Sequence, residues 1–321
     1  MQKPIVGTWF EFWHHNLKEG KYWNQICRQF SAEQWEAKVD EIASVGMKYL
    51  VLLDTAIVYN DYAESYFDTD IFPFADMACK DPMGAVLTAA DRNGMKVFVS
   101  CGFYGNCYHA LNNMTSPEVT ERAFKAMEQL WAKYGHHESF YGWYFPDETC
   151  IAGHFHPDFV AYVNRYSAQA HRIAPGTKTL IAPYGTNMLV TDEEYVEQLR
   201  NLDVDIVAYQ DEVGVRKSTV EQTGAFYANL RKAHDAAGRS ALWADVEAFD
   251  FEGDVYRSAL IPGTMERVEK QIEAIASYVD EILIYQYQGI FNKPGTIAYC
   301  GHPDSISEYT KLLEYNRKNN L

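Results

Sequence analysis

The 321-residue chain lacks several features that would place it in a functional class at once. No apolar run approaches the ~18 residues of a membrane-spanning helix, so we expect no membrane span. The 28 Lys and Arg residues form no basic cluster, and against 44 Asp and Glu residues they leave a formal net charge of −16. Because phosphate binding needs local positive charge, we expect no nucleic-acid partner, and a strongly anionic polysaccharide is also disfavoured.

Cysteine is scarce as well. The six cysteines show no Cys-x-x-Cys spacing, and a domain of this size needs no disulfides, so we expect free thiols. No glycine-rich phosphate loop, serine nucleophile elbow or catalytic Cys–His arrangement is evident, and we expect that no cofactor is needed.

The start of the chain bears on its location. Met1-Gln2-Lys3-Pro4 leads into a predicted strand with no signal-peptide core. We therefore expect a cytoplasmic protein from the sequence as written, or a periplasmic or secreted one if a leader was removed.

Eight times an apolar strand-like run is followed by a helical pattern. Strands are predicted at residues 5–10, 49–53, 95–100, 140–145, 179–182, 206–209, 241–246 and 281–287. Helices are predicted at residues 31–45, 81–93, 116–134, 156–173, 191–200, 219–237, 264–278 and 305–318. This alternation predicts an α/β fold, a single (βα)8 TIM barrel over residues 1–321.

Residues at the helix boundaries support this register. Four Ser or Thr residues with Glu or Gln three positions later fit capping boxes, namely Ser31, Thr191, Thr219 and Ser305. A glycine follows five of the predicted helices, at Gly46, Gly94, Gly135, Gly176 and Gly238.

The predicted loops differ in length on the two ends of the barrel. The helix-to-strand connections are a few residues long, whereas five strand-to-helix loops are long: residues 11–30, 54–80, 101–115, 247–263 and 288–304. Long loops at the carboxyl ends of the strands build a cleft there, which predicts an active or binding site at that end.

Two of the predicted strands end in acidic residues. The aromatic strand at 140–145 leads through Pro146 into Asp147 and Glu148, and the strand at 241–246 is followed by Glu247. Buried carboxyl groups are costly unless they are neutralised or used in chemistry. Because the fourth and seventh strands face each other across a barrel mouth, Glu148 and Glu247 are candidates for the pair that glycoside hydrolysis requires.

A family resemblance starts from the same residues. The run from Trp143 to Glu148 resembles the Trp…Asn-Glu end of strand four in clan A glycoside hydrolases, the four/seven superfamily of TIM barrels. The resemblance implies that Glu148 is the acid/base and Glu247 the nucleophile of a retaining mechanism. Further blocks resemble a poorly characterised family of glycosidase-like bacterial TIM barrels: Gly7-Thr8-Trp9-Phe10, Tyr141-Gly142-Trp143-Tyr144, Tyr209-Gln210-Asp211-Glu212-Val213-Gly214 and Leu242-Trp243-Ala244-Asp245-Val246-Glu247.

The chain departs from the clan at two positions. Asp147 replaces the Asn that donates to a sugar hydroxyl, and an ionised Asp cannot donate. An ionised Asp147 would instead raise the pKa of Glu148, which suits an acid. The clan's strand-eight Trp is not evident either, and Tyr285 to Gln288 occupy that end.

Other residues are candidates for binding the substrate. The clan resemblance implies that Tyr209 bonds the nucleophile, although a core tyrosine is equally compatible; Asp211 or Glu212 would serve if the strand-seven acid is misplaced. Asp245 is the other candidate for that acid; it shares a strand face with Glu247 one step deeper, where a role as a buried partner is the alternative. Subsite-lining candidates lie on the loops, at Glu11, Trp13, His14, Asp54, Tyr104 and Tyr184, and candidate sugar platforms are Trp9, Trp13, Tyr184 and Tyr287.

The sequence therefore predicts a glycoside hydrolase that acts on a neutral glycan or glycoside. One alternative is a metal-dependent sugar isomerase or hydrolase barrel that uses His154 or His156 with the same acids. The other is a non-catalytic barrel that binds carbohydrate but lacks a competent pair of carboxyl groups.

Overall fold

Eight parallel strands close into a barrel in the computed structural model, which describes residues 2–59 and 62–319. In chain order β1 to β8 are Gly7–Phe10, Tyr49–Leu52, Lys96–Ser100, Phe140–Tyr144, Lys178–Ile181, Ile206–Gln210, Ala241–Glu247 and Ile282–Tyr285. Each strand pairs with its neighbours in sequence, and β8 pairs with β1. The predicted barrel is confirmed.

A helix packs outside the barrel after each strand. In chain order α1 to α8 are Ala32–Ser44, Pro82–Arg92, Pro117–Tyr134, Pro157–Ile173, Glu193–Asn201, Val220–Ala237, Met265–Ile275 and Ser305–Lys318. Among the described residues, none of the helices has the length and apolar character needed to cross a membrane. The six cysteines are free, as expected, and four of them are buried.

Two of the predicted helix caps are wrong. Asp192, not Thr191, caps α5 and accepts a hydrogen bond from the Tyr195 N–H at 3.1 Å. Ser305 is the first residue of α8 and not its cap, and the Glu308 carboxylate accepts from the Met265 N–H instead, at 2.8 Å. A carboxylate or hydroxyl one residue away competes for the same unpaired N–H groups, so spacing alone misplaces such a cap.

Strand alternation divides the apolar residues into two cores. Alternate strand residues fill the barrel interior, including Trp9, Phe98, Tyr144 and Trp243, while their neighbours pack against the helices. The same alternation brings the last inward residues of the strands to the carboxyl end of the barrel. Side chains there are positioned by a packed core, which makes this end suitable for a site.

The long strand-to-helix loops contain structure that the sequence pattern did not predict. An antiparallel hairpin pairs Ala56–Tyr59 with Tyr62–Ser65 after β2, and another pairs Phe249–Phe251 with Leu260–Pro262 after β7. Short helices span Asn24–Arg28 and Ala110–Thr115. These elements form the walls around the carboxyl end of the barrel.

Candidate active site

A cavity of about 910 Å³ opens at the carboxyl end of the barrel. Its volume falls in the range of small-molecule and cofactor sites. Glu148, which follows β4, and Glu247, the last residue of β7, both line it. Trp9 and Tyr285, from the first and last strands, line it as well. The structure therefore brings the two predicted catalytic carboxyl groups to one cavity.

Glu148 is held by two hydrogen bonds, one to each carboxyl oxygen. The Tyr144 hydroxyl donates to Oε1 and the Gln210 side-chain amide donates to Oε2, both at 2.9 Å. Burial raises the pKa of Glu148 to about 8; the negative charges of Asp147 and Glu212 also raise this pKa, and the two hydrogen bonds oppose the increase. At neutral pH the group therefore holds a proton that it can donate.

Asp147 is buried beside Glu148 and also lines the cavity. The Asn113 side-chain amide donates to its Oδ1 at 2.9 Å. Burial raises the pKa of Asp147 to about 7 despite this hydrogen bond. Asp147 raises the pKa of Glu148 as expected, but burial has the larger effect.

Glu247 is positioned by the loop that follows β6. The Val215 N–H donates to its Oε2 at 2.7 Å, and the Glu247 N–H donates to the Asp211 carboxylate at 3.1 Å. Burial raises the pKa of Glu247 well above its ordinary value, and the negative charge of Asp211 adds to the increase, while the Arg267 guanidinium opposes it. Main-chain contacts thus set the orientation of this carboxyl group before any ligand binds.

Gly214 lies directly against Glu247, which gives a test of that orientation. A Cβ atom at residue 214 would lie 2.9 Å from the Glu247 Cβ and 3.0 Å from its Oε2, closer than such atoms normally approach. We expect Gly214→Ala to displace the Glu247 carboxylate and lower kcat on the order of 10- to 100-fold. Gly253→Ala is the control, since its Cβ would make an ordinary contact at 3.5 Å. Equal kcat values for the two variants would contradict the prediction.

Asp245 lies two residues before Glu247, faces the same cavity and is buried. It is the register partner of Gln210, whose amide contacts Glu148. Within residues 2–59 and 62–319 its Oδ1 atom has no hydrogen-bond partner. Burial, and then the charge of Glu247, raises the pKa of Asp245 well above its ordinary value. Because Asp245 also faces the cavity, its unpaired oxygen is available to a ligand there.

The buried carboxyl groups predict how stability depends on pH. The pKa of Glu148 rises from its ordinary 4.5 to about 8, so between these pH values the folded protein holds a proton that the unfolded chain has lost. Stability therefore falls as pH increases through this window, and no loss arises below pH 4.5. We expect the Tm of Glu148→Gln, measured relative to that of the unmodified protein, to be higher at pH 8 than at pH 5 by about 2 °C or more. Thermal denaturation at the two pH values measures this difference. An effect independent of pH would contradict this.

A charged network supports the first loop. His14 Nδ1 lies 3.0 Å from both oxygens of Glu11, and its Nε2 lies 3.0 Å from Glu19. Burial opposes protonation of His14, but the two carboxylates raise its pKa to about 10. His14 and Glu19 line the cavity. Glu11 lies behind them, where it also accepts hydrogen bonds from Trp23 and Gln286.

Of the two positions considered for Tyr209, the structure has the core position, and Tyr209 does not contact the candidate nucleophile. Its hydroxyl is hydrogen-bonded to the Tyr195 hydroxyl at 2.5 Å and to the His234 imidazole at 3.0 Å. Both partners lie in the layer between the barrel and the helices. Strand β6 points residues 206, 208 and 210 inward, so residue 209 faces outward. Gln210 lines the cavity in its place. The predicted strand ended at 209, and extending it by one residue would have identified Gln210.

Five other predicted binding residues lie outside the set of described residues that line the cavity: Trp13, Asp54, Tyr104, Asp211 and Tyr287. Tyr287 faces the helices, where its hydroxyl donates to Glu41 at 3.2 Å. Trp13 donates to the Tyr59 hydroxyl at 3.0 Å, and Tyr104 contacts Thr55. These side chains point into the protein interior and not into the cavity, because the loops that carry them pack against neighbouring residues of the core. Trp9, Tyr184 and Asp245 line the cavity.

The sequence analysis missed several residues of the cavity wall, among them Lys217, His15, Tyr108, Phe249 and Tyr256. Lys217 Nζ lies 3.5 Å from Glu212 Oε1 and 4.9 Å from the centre of the Tyr184 ring. It is the only Lys or Arg among the described residues of the lining. No motif signals such residues, because loop folding alone brings them to the cavity.

The histidines of the metal-dependent alternative have other contacts. His154 Nε2 lies 2.8 Å from Asp192, and His156 accepts a hydrogen bond from the Asp158 N–H near the start of α4. In the described part of the chain, no group of three or more His, Cys, Asp or Glu side chains has the arrangement to hold a metal ion. The donor set thus gives this alternative no support.

Solved structures similar to this barrel include glycosidases. A candidate alpha-L-fucosidase from Bacteroides thetaiotaomicron is 16% identical, has a TM-score of 0.75, and the match covers 98% of this chain and 94% of that one. An endo-1,4-beta-D-mannanase from Thermotoga petrophila is 9% identical and has a TM-score of 0.61, and the match covers 99% of this chain and 100% of that one. A glycoside hydrolase family 5 mannosidase from Rhizomucor miehei is 10% identical and has a TM-score of 0.57, and the match covers 99% of this chain and 94% of that one. At these identities the likeness shows the fold.

Comparison with sequences gives one assignment. No curated protein matches the chain at a significant level. One family model matches residues 5–298, which include every strand of the barrel and both Glu148 and Glu247. The chain therefore belongs to the family described as a domain of unknown function, DUF4434.

Proposed function

We propose that this protein is an O-glycosyl hydrolase that cleaves a neutral glycan or glycoside by a retaining double displacement. Glu148 is the acid/base and Glu247 the nucleophile. The observation that carries the proposal is that two carboxyl groups, from the ends of β4 and β7, line one cavity at the carboxyl end of a barrel. Glycoside hydrolysis uses a pair of carboxyl groups on either side of the scissile bond.

The surroundings of Glu148 suit an acid that becomes a base. Its raised pKa, about 8, keeps the proton available for the leaving oxygen at neutral pH. When the proton has left, the Tyr144 hydroxyl and the Gln210 amide stabilise the carboxylate that remains. That carboxylate then accepts a proton from the water that attacks the glycosyl–enzyme bond.

The surroundings of Glu247 suit a carboxylate of fixed orientation. Its attack on the anomeric carbon requires the ionised form, which the Val215 N–H and the Arg267 guanidinium favour. Burial opposes ionisation in the unliganded cavity, and the positive charge that develops on the sugar ring offsets this cost in the transition state. The cavity thus interacts most strongly with the charged transition state.

The composition of the cavity supports a neutral sugar as substrate. Five carboxyl groups line it, namely Glu19, Asp147, Glu148, Asp245 and Glu247, and Lys217 is paired with Glu212. Among the described lining residues, no unpaired Lys or Arg is therefore left to neutralise an additional anionic group. Sugar hydroxyls can bond the carboxyl groups, while Tyr184 and Tyr285 offer aromatic surface to the sugar ring. The glycosidase names of the similar structures support the same class.

A substrate screen tests the proposal directly. Aryl glycosides and plant, host and microbial glycans would be offered to the protein, to Glu148→Gln and Glu247→Gln, and to Glu252→Gln as a control. Glu252 is exposed and pairs with Lys21 and Tyr22 on the surface. We expect full activity from the protein and the control only, and strongly reduced hydrolysis of the natural glycans by both cavity variants. Binding without turnover would instead favour a non-catalytic carbohydrate-binding barrel, and undiminished hydrolysis in both cavity variants would refute the assignment.

A further inference from the structure

Three tyrosine rings form a continuous strip that leads away from the cavity. Tyr108 lines the cavity wall and is 57% exposed. Its ring centre lies 6.3 Å from that of Tyr59, which in turn lies 6.3 Å from that of Tyr62, with interplanar angles of 44° and 34°. Tyr62 is 50% exposed. We call Tyr108, Tyr59 and Tyr62 the tyrosine strip.

The main chain holds the strip together. Tyr59 and Tyr62 are register partners in the hairpin after β2. The loop that carries Tyr108 pairs with the same hairpin, because the Cys107 N–H donates to the Val58 carbonyl at 3.0 Å and the Phe103 N–H donates to that of Ala56 at 2.9 Å. The spacing of the rings is therefore set by hydrogen-bonded backbone, and it does not depend on the packing of mobile side chains.

Each hydroxyl of the strip is engaged behind the rings. Tyr59 accepts from Trp13 Nε1, and Tyr62 donates to Glu64. Arg28 connects the two, since it pairs with Glu64 at 2.6 Å and stacks on the Trp13 ring at 3.9 Å. The Tyr108 hydroxyl contacts the His15 carbonyl at 3.4 Å. With the polar groups engaged, what remains for a ligand is ring surface.

A contiguous exposed apolar patch is a feature of binding surfaces, whereas singly exposed apolar residues are common on any protein. Among neutral, water-soluble molecules, a glycan chain presents repeating C–H faces that can stack on successive aromatic rings. An anionic chain would be repelled by the net charge of the whole protein, −16. An apolar peptide would leave its main-chain groups without partners along such a strip. A neutral glycan chain is the occupant that the geometry and charge favour.

We propose that the tyrosine strip is a carbohydrate subsite outside the cavity, which binds further units of a neutral glycan chain held in the cavity. This inference rests on the proposed function and narrows its substrate class from any neutral glycoside to an oligosaccharide or polysaccharide chain. It also assigns Trp13, with Arg28, a supporting role behind Tyr59 in place of the predicted role as a sugar platform.

The test measures binding against chain length. Cello-, manno-, xylo- and galacto-oligosaccharides of two to six units would be titrated calorimetrically into Glu148→Gln, alone and combined with Tyr62→Ala, Tyr108→Ala, Tyr62→Phe or Ile297→Ala. Ile297 is a control, because it is 55% exposed but lies outside the strip. We expect the affinity of the parent for one series to rise with length. Each Tyr→Ala change should lower the affinity for the longest member about fivefold and leave the shortest unchanged.

The Phe variant and the control identify the cause. Tyr62→Phe keeps the ring and should keep the affinity, as should Ile297→Ala. Equal affinity of the parent and both Ala variants for the longest member would overturn the proposal, as would absence of binding in all four series. Hydrolysis of aryl monoglycosides by the protein separates these outcomes, since it depends on the cavity carboxyl groups. Failure of the strip with that hydrolysis intact leaves the proposed function standing.

Discussion

Glu148→Gln is expected to lower kcat about 10³-fold on glycosides with poor leaving groups, because it removes the proton donor. Glycosides with activated aryl leaving groups need little protonation, so their first step should be much less affected. The amide keeps the shape of the side chain and can still contact Tyr144 and Gln210. Steady-state kinetics on a series of aryl glycosides of graded leaving-group pKa measures the difference.

The pH profile gives an independent check on the same residue. For the unmodified protein, kcat/KM should fall as pH rises through about 8, where Glu148 loses its proton. Glu148→Gln should lack this limb, and Glu252→Gln should retain it. A uniform loss of activity across all leaving groups, with the basic limb unchanged, would show that Glu148 has another role.

Glu247→Ala is expected to lower kcat by on the order of 10⁴-fold or more for every leaving group, because it removes the group that forms the covalent bond. The change also opens space beside Gly214 and the Val215 N–H. Added azide should enter that space and restore part of the activity, with a glycosyl azide of inverted configuration as product. Product analysis by NMR identifies its anomeric configuration.

Asp245→Ala is the matched variant for this experiment, because its carboxyl group lies on the same strand face. We expect it to weaken binding without azide rescue. Rescue in Asp245→Ala and none in Glu247→Ala would move the nucleophile to Asp245. For the unmodified protein, we expect NMR of the first product formed to show that the anomeric configuration is retained. A product of inverted configuration would contradict the double displacement.

The sequence predicted the barrel because alternation, glycine stops and loop lengths are local signals. It also predicted that Glu148 and Glu247 would face one cavity, because the position of each residue is set by the strand that it ends or follows. The sequence left the role of Tyr209 open and did not identify Gln210, because a difference of one residue at a strand end reverses the face to which a side chain points. Lys217, Tyr108 and Tyr256 could not be found, because their position depends on how long loops fold against one another.

The Glu11–His14–Glu19 arrangement has a consequence for how the protein responds to acidity. His14, with a pKa near 10, and Glu11, whose pKa is lowered, keep opposite charges throughout the neutral range. His14, which lines the cavity, therefore keeps its charge in the pH range in which the candidate acid Glu148, with a pKa of about 8, is expected to titrate. The dependence of activity on pH between 6 and 9 should therefore report on residues at the centre of the cavity, without a contribution from a change of charge in the Glu11–His14–Glu19 network.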